Sequence, residues 1–126
     1  MAAAIVMSCQ SVTGQLWKWK AINAEAFQMT TQWVEGENLC LEGNRPDPAR
    51  PLGGASVMTN CGSVTGQIWK ATPVASGHYV LQSIGGAAEG RCLDGNVSTP
   101  GAPMNGALHM APCNNGPSQQ WRLVGP

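Results

Sequence analysis

One motif, present three times at a fixed interval, constrains this chain more than any other feature. Cys9 to Trp17 reads CQSVTGQLW, Cys61 to Trp69 reads CGSVTGQIW and Cys113 to Trp121 reads CNNGPSQQW. In each, Trp follows Cys by eight residues, Gln stands two before the Trp, and successive copies lie 52 residues apart without drift. A period of this size marks a fold assembled from copies of one supersecondary unit, none of which buries its apolar face alone. Cys40 and Cys92, in CLEGN and CLDGN, repeat at the same interval, and their counterpart in the first copy would fall ahead of Met1. The chain therefore reads as a partial repeat at about residues 1–20 and two full ones at about 21–72 and 73–126 of a single domain.

Each full copy predicts four short strands. In the second copy they fall at about residues 26–34, 38–42, 55–60 and 67–72, and in the third at about 78–84, 91–94, 107–111 and 119–124. Phe27, Met29 and Thr31 alternate in step with Tyr79, Leu81 and Ser83, the period of a strand with one buried face. No stretch carries a helical period. The Pro- and Gly-rich stretches at residues 45–54 and 97–106 read as surface loops between the second and third strands. Four strands in each of three copies is the count of an all-β trefoil. A β-propeller blade also has four strands, but a propeller needs at least about four blades and this chain supplies fewer than three.

Composition excludes several functions. Seven basic and seven acidic residues cancel, and charged residues make up 11% of the chain, so there is no electrostatic footprint for nucleic acid or an anionic membrane surface. No apolar run approaches membrane-spanning length, and MAAAIVM lacks the charged start, apolar length and cleavage site of a signal peptide. A soluble chain is expected, and a start in the middle of a repeat suggests a processed or expressed fragment, or a protein that has lost its beginning. Two histidines and scattered acids nominate no nucleophile–base pair and no paired carboxylates, so an enzyme is not expected. No CxxC or Cys/His spacing marks a metal site, and no cofactor is implied.

The cysteines fall into pairs. Cys40 to Cys61 and Cys92 to Cys113 both span 21 residues. Such pairs read as one disulfide per full copy, worth about 3 kcal/mol for a loop of that length, or alternatively as buried thiols in a reducing compartment. Cys9 is left without a partner. Asn96-Val97-Ser98 is an N-glycosylation sequon, which suits a secreted protein, as disulfides would.

With Cys-Leu-Asp/Glu-Gly-Asn, a second Cys 21 residues on and then Gln-x-Trp, the chain resembles the ricin B-type β-trefoil lectins and the related family 13 carbohydrate-binding modules over nearly its whole length. The resemblance implies galactose or N-acetylgalactosamine binding, without catalysis, as a lectin or as the targeting module of a larger secreted protein or toxin. It also implies a site made of the acid of the CLD stretch, an aromatic two before the second Cys, a polar residue four before that Cys, and Asn-Gln at the Gln-x-Trp stretch. A carboxylate takes hydrogen bonds from vicinal hydroxyls, and an aromatic face stacks on the apolar side of the ring. Carried onto the third copy, the site is Asp94, Asn96, His109 and Gln119, with Ala111 where the aromatic is expected and Ser118 for the Asn. The second copy offers Glu42 and Gln67, with Val57 and Thr59 at the polar and aromatic positions and Gly66 before the Gln. Trp33 is a substitute stacking surface there. The first copy lacks its acid and has Met7 at the stacking position.

Each residue also has a plainer role. The three Gln-x-Trp tryptophans are expected in the core, the glutamines on buried backbone groups, and Asp94 as a cap for the turn at Gly95. His109 reads equally as an exposed strand residue, and Lys18, Lys20, Lys70 and Arg122 as a solvated face. A second functional reading follows from the missing aromatics and the two loops: a trefoil whose degenerate sugar sites have given way to contacts with another protein, such as a toxin subunit or a protease. The absent half-repeat leaves strand edges open, so a second polypeptide, a second copy of this chain or a rearranged N-terminus is expected to fill it.

Overall fold

The computed structural model describes residues 2–3, 15–31, 38–44, 55–62, 65–95 and 107–122. All regular structure there is extended, apart from short 3-10 turns. The strands are β1 (Ala2–Ala3), β2 (Trp17–Ala21), β3 (Phe27–Thr31), β4 (Leu39–Glu42), β5 (Val57–Asn60), β6 (Trp69–Pro73), β7 (His78–Ser83), β8 (Cys92–Gly95), β9 (Leu108–Ala111) and β10 (Trp121–Arg122).

The 52-residue period governs strand register as well as sequence. The β2–β3 hairpin pairs Trp17 with Thr31, and the β6–β7 hairpin pairs Trp69 with Ser83. Likewise β4–β5 pairs Leu41 with Met58 and Glu42 with Val57, while β8–β9 pairs Leu93 with Met110 and Asp94 with His109. Phe27 faces Trp69 as Tyr79 faces Trp121. Even the two-residue β1 obeys the period: Ala3 pairs with Val57 just as Ala55 bridges to His109. A slip of one residue would turn every side chain to the other face, so this agreement means that both copies present the same residues to the core.

That core unites Phe27, Met29, Leu41, Trp69, Leu81, Leu93, Leu108 and Met110, with Trp19, Met58, Tyr79 and Trp121 packed against it. Met29 and Leu81, Leu41 and Leu93, and Trp69 and Trp121 are repeat equivalents, so each copy places an apolar strand residue, a CLD leucine and a tryptophan around a shared centre. Each such side chain contributes roughly 1.5–3 kcal/mol by leaving water. Gly43 leaves room for this packing: a Cβ there would lie 3.2 Å from the Met110 side chain and 3.4 Å from that of Trp69, and both would have to give way by a few tenths of an ångström. Asn38 and Gly90, also repeat equivalents, both adopt left-handed backbone (φ 58° and 79°) two residues before their cysteines, a conformation Asn and Gly tolerate best.

Both predicted disulfides are formed, Cys40–Cys61 and Cys92–Cys113, with Cα separations of 5.0 and 5.1 Å, inside the range a disulfide spans. Cys9 lies outside the described residues. Two expectations are corrected. Gln67 and Gln119 do not begin strands but close the 3-10 turns Thr65–Gln67 and Pro117–Gln119, and β6 and β10 start at the Trp two residues on. And the tryptophans are not equally buried: Trp69 is 0% exposed, Trp121 half-buried and Trp17 42% exposed. The reason is local. The Trp69 indole donates to the Leu41 carbonyl (3.1 Å) and the Trp121 indole to that of Leu93 (3.0 Å), whereas no such bond holds the Trp17 indole among the described residues.

Among the described residues, β2 pairs with β3 and forms one end of a seven-stranded sheet, while β10 pairs with β7. By the repeat, the first strand of copy one belongs beside these two.

Candidate functional site

The site is built from the glutamine outward. Gln119, held at the end of its 3-10 turn, is 0% exposed and uses both amide hydrogens and its oxygen within the protein. Its Nε2 donates to Asp94 Oδ2 (3.0 Å) and to the Pro112 carbonyl (3.0 Å), and its Oε1 accepts the Asn114 backbone N–H (2.9 Å). Pro112 and Asn114 flank Cys113, so one side chain grips the disulfide-linked residue from both sides and fixes the carboxylate of β8. Gln119 therefore orients Asp94 and has no amide hydrogen left for another partner.

Asp94 is 8% exposed and faces His109 across the β8–β9 ladder, at the separation where side chains of opposite residues touch. His109 is half-buried, and its Nδ1 is buried with no hydrogen-bond partner among the described residues. An unsatisfied buried polar atom costs roughly 1–3 kcal/mol, so the described residues hold this ring with its Nδ1 turned inward at a cost. Ala111, at the expected stacking position, is half-buried and Ser118 is exposed; neither offers an aromatic platform. Asn96 and the loop at 97–106 lie outside the described residues.

The second copy repeats the clamp. Gln67, also 0% exposed, donates to the Asn60 carbonyl (2.7 Å) and to Glu42 Oε1 (3.3 Å) and accepts the Gly62 N–H (2.9 Å). Asn60 and Gly62 flank Cys61. Here Gln28 adds its own amide, donating to the Gly62 carbonyl (2.9 Å) and, at 3.5 Å, to Gln67 Oε1, where the third copy has Val80. The extra methylene of Glu42 needs room. A Cβ at Gly66 would meet Glu42 Cγ at 3.2 Å, so the longer acid and the glycine, which replaces Ser118 of the third copy, go together. Opposite Glu42 stands Val57, without polar atoms in its side chain. The second acid is thus packed into its own repeat. Trp33, Met7 and the loop at 45–54 fall outside the described residues.

Sequence reasoning named both glutamines and both acids but missed Gln28 and the bracketing of each second cysteine. The spacing carried a signal for the latter, since each Gln follows its Cys by six residues in all three copies. Among the described residues no group of three or more His, Cys, Asp or Glu is placed to hold a metal ion, and no helix is long and apolar enough to cross a membrane.

No protein-family model and no curated protein matches the chain. Solved structures do. The designed 3-fold symmetric protein ThreeFoil superposes with a TM-score of 0.72 at 19% identity, over 100% of this chain and 84% of its own. Chains of the cytolethal distending toxins of Haemophilus ducreyi and Actinobacillus actinomycetemcomitans give 0.63 each, at 22% and 21% identity, over 87% of this chain. The chain spans 60% and 65% of those two toxin chains. At such identities the likeness speaks for fold, and the fold is an all-β trefoil.

Proposed function

We propose that this chain is a non-catalytic carbohydrate-binding trefoil of the ricin B type, directed at galactose or N-acetylgalactosamine, with its site in the third copy. One observation carries the reading. Asp94 is locked by the buried Gln119 clamp directly opposite the half-buried His109. A carboxylate whose orientation is fixed in advance accepts two sugar hydroxyls without first paying to order itself, and an imidazole beside it supplies a further polar contact. Asn96, which follows in the CLDGN stretch, joins Asp94 and His109 in the proposal. Glu42 and Gln67 form a second, weaker candidate. With an alanine at position 111 the single site binds in the millimolar to micromolar range and relies on multivalency for avidity. Two disulfides and the likeness to toxin chains support an extracellular or secreted setting, as part of a larger protein or toxin.

Glycan-array screening of the disulfide-intact chain beside Asp94→Ala tests the reading. Galactose-terminated glycans should bind wild type and lose roughly tenfold in the variant, the loss of one charge-assisted contact. Absence of any binder, or binding that ignores Asp94 for every glycan, refutes it.

A second reading is favoured by Ala111 and Ser118: without an aromatic platform the same face suits contact with another protein, a toxin subunit or a protease. Pull-down with residues 97–106 shortened separates the two, since a protein partner would be lost and a glycan bound through Asp94 would not. We further infer that the edges which β2 and β10 leave unpaired among the described residues are covered by a second copy of this chain or another polypeptide. Light scattering that finds a stable lone monomer argues against both.

A further inference from the structure

A cavity of about 410 Å³ opens at the mouth of the β2–β3 hairpin, away from Asp94, within the roughly 300–1,000 Å³ of small-molecule sites. Trp19 and Phe27 form its apolar wall, and Asn23, Glu25, Lys70 and Ala71 complete the part used here. The two rings stack with centroids 4.3 Å apart and planes 13° from parallel, and Tyr79 meets Trp19 edge-on at 6.3 Å, so the indole is held from two sides. The polar rim is also fixed. Asn23 Oδ1 accepts the backbone N–H groups of Glu25 (2.9 Å) and Ala26 (3.0 Å), while Ile22 and Asn23 donate theirs to the Ala26 carbonyl. This commits the oxygen of Asn23 to the turn, presents Glu25 to solvent, and spends none of the carboxamide's hydrogens on the turn.

The repeat closes the equivalent hairpin without these residues. The β6–β7 hairpin closes in the same register with Ala71, Ala75 and Gly77 at the positions of Trp19, Asn23 and Glu25. An indole, a carboxamide and a carboxylate have therefore been placed together where the repeat manages with two methyl groups and a hydrogen. We infer that this cavity is a second ligand site, and that its ligand is a neutral pyranose. The set fits hydroxyls, each of which both donates and accepts: Glu25 accepts, Asn23 and Lys70 donate, and the aromatic wall takes the apolar face of the ring. An ionic ligand gains less, because Glu25 and Lys70 are exposed and exposed ion pairs are worth only about 0–1 kcal/mol. This site is independent of Asp94, and with it a single chain would engage two sugars at once.

The test is a titration of the isotope-labelled, disulfide-intact chain with methyl β-D-galactopyranoside, methyl α-D-mannopyranoside and methyl N-acetyl-β-D-glucosaminide in turn. The readouts are the Trp19 indole N–H signal, assigned with Trp19→Phe, and the Glu25 amide signal. At least one pyranoside should move both saturably, in wild type and in Asp94→Ala alike. Glu25→Ala, on an exposed turn and with the rest of the spectrum unchanged, should weaken that ligand about tenfold. The inference is overturned if no pyranoside moves the two signals, if the shifts vanish in Asp94→Ala, if Glu25→Ala leaves the affinity unchanged, or if free phenylalanine titrates them and the sugars do not.

Discussion

Replacing Gln119 with Ala tests the clamp that organises the third copy. The substitution removes three hydrogen bonds at once: one to the Asp94 carboxylate, and two to the backbone on either side of Cys113. A hydrogen bond to a charged group is worth about 1.5–3 kcal/mol net, and a neutral one about 1 kcal/mol. Gln119 is fully buried, so its loss also leaves a small void and a carboxylate oxygen facing it without a donor. The expected cost is about 4 kcal/mol, a large part of the 5–15 kcal/mol that holds most domains folded. Urea unfolding with both disulfides intact measures it. Because Asp94 and Gln119 share one network, the double variant Gln119→Ala/Asp94→Asn should cost less than the two singles together, by about 1–2 kcal/mol. A loss below about 1 kcal/mol for Gln119→Ala, or strict additivity within about 0.5 kcal/mol, would refute the clamp.

The tryptophans should rank by burial rather than by motif: Trp69→Ala costs about 3–5 kcal/mol in urea unfolding, whereas Trp17→Ala, at a 42% exposed position, costs under about 1.5 kcal/mol. Opening Cys92–Cys113 by a double Ser substitution should lower stability by about 3 kcal/mol, and opening Cys40–Cys61 by a similar amount, because the closed loops are equal in length. Gly66→Ala should displace Glu42 and cost about 1 kcal/mol in thermal unfolding, while Ser118→Ala, at the exposed equivalent position, should be neutral within about 0.5 kcal/mol.

Much of this architecture was legible in the spacing of a few residues. Cys, Gln and Trp at a strict step of 52 specified three copies of one unit, and the hairpins keep that step residue for residue, since Asp94 faces His109 as Glu42 faces Val57. The pairing of the cysteines was legible for the same reason. What periodicity hid is what differs between copies. Trp17 belongs to the motif as fully as Trp69, yet the Trp69 indole has the Leu41 carbonyl to donate to, and no such bond holds Trp17 among the described residues. Gln28 stands where the third copy has Val80, so its part in the second clamp had no echo to reveal it. Asn23 and Glu25 likewise have no polar counterparts, since Ala75 and Gly77 stand at their positions, and the period did not single them out. The candidate site was legible as a set of residue types, but the inward-facing Nδ1 of His109 emerges only when β8 and β9 lie side by side.

The most direct test of the central claim is residue-resolved binding at the third copy. Titrating N-acetylgalactosamine into the isotope-labelled chain, with the His109 ring and the Asp94 amide followed by NMR, should shift both saturably, and Asp94→Ala should abolish the His109 response while the spectrum elsewhere stays folded. His109 and Asp94 signals that stay fixed through the titration, or a His109 shift that survives Asp94→Ala undiminished, would contradict it.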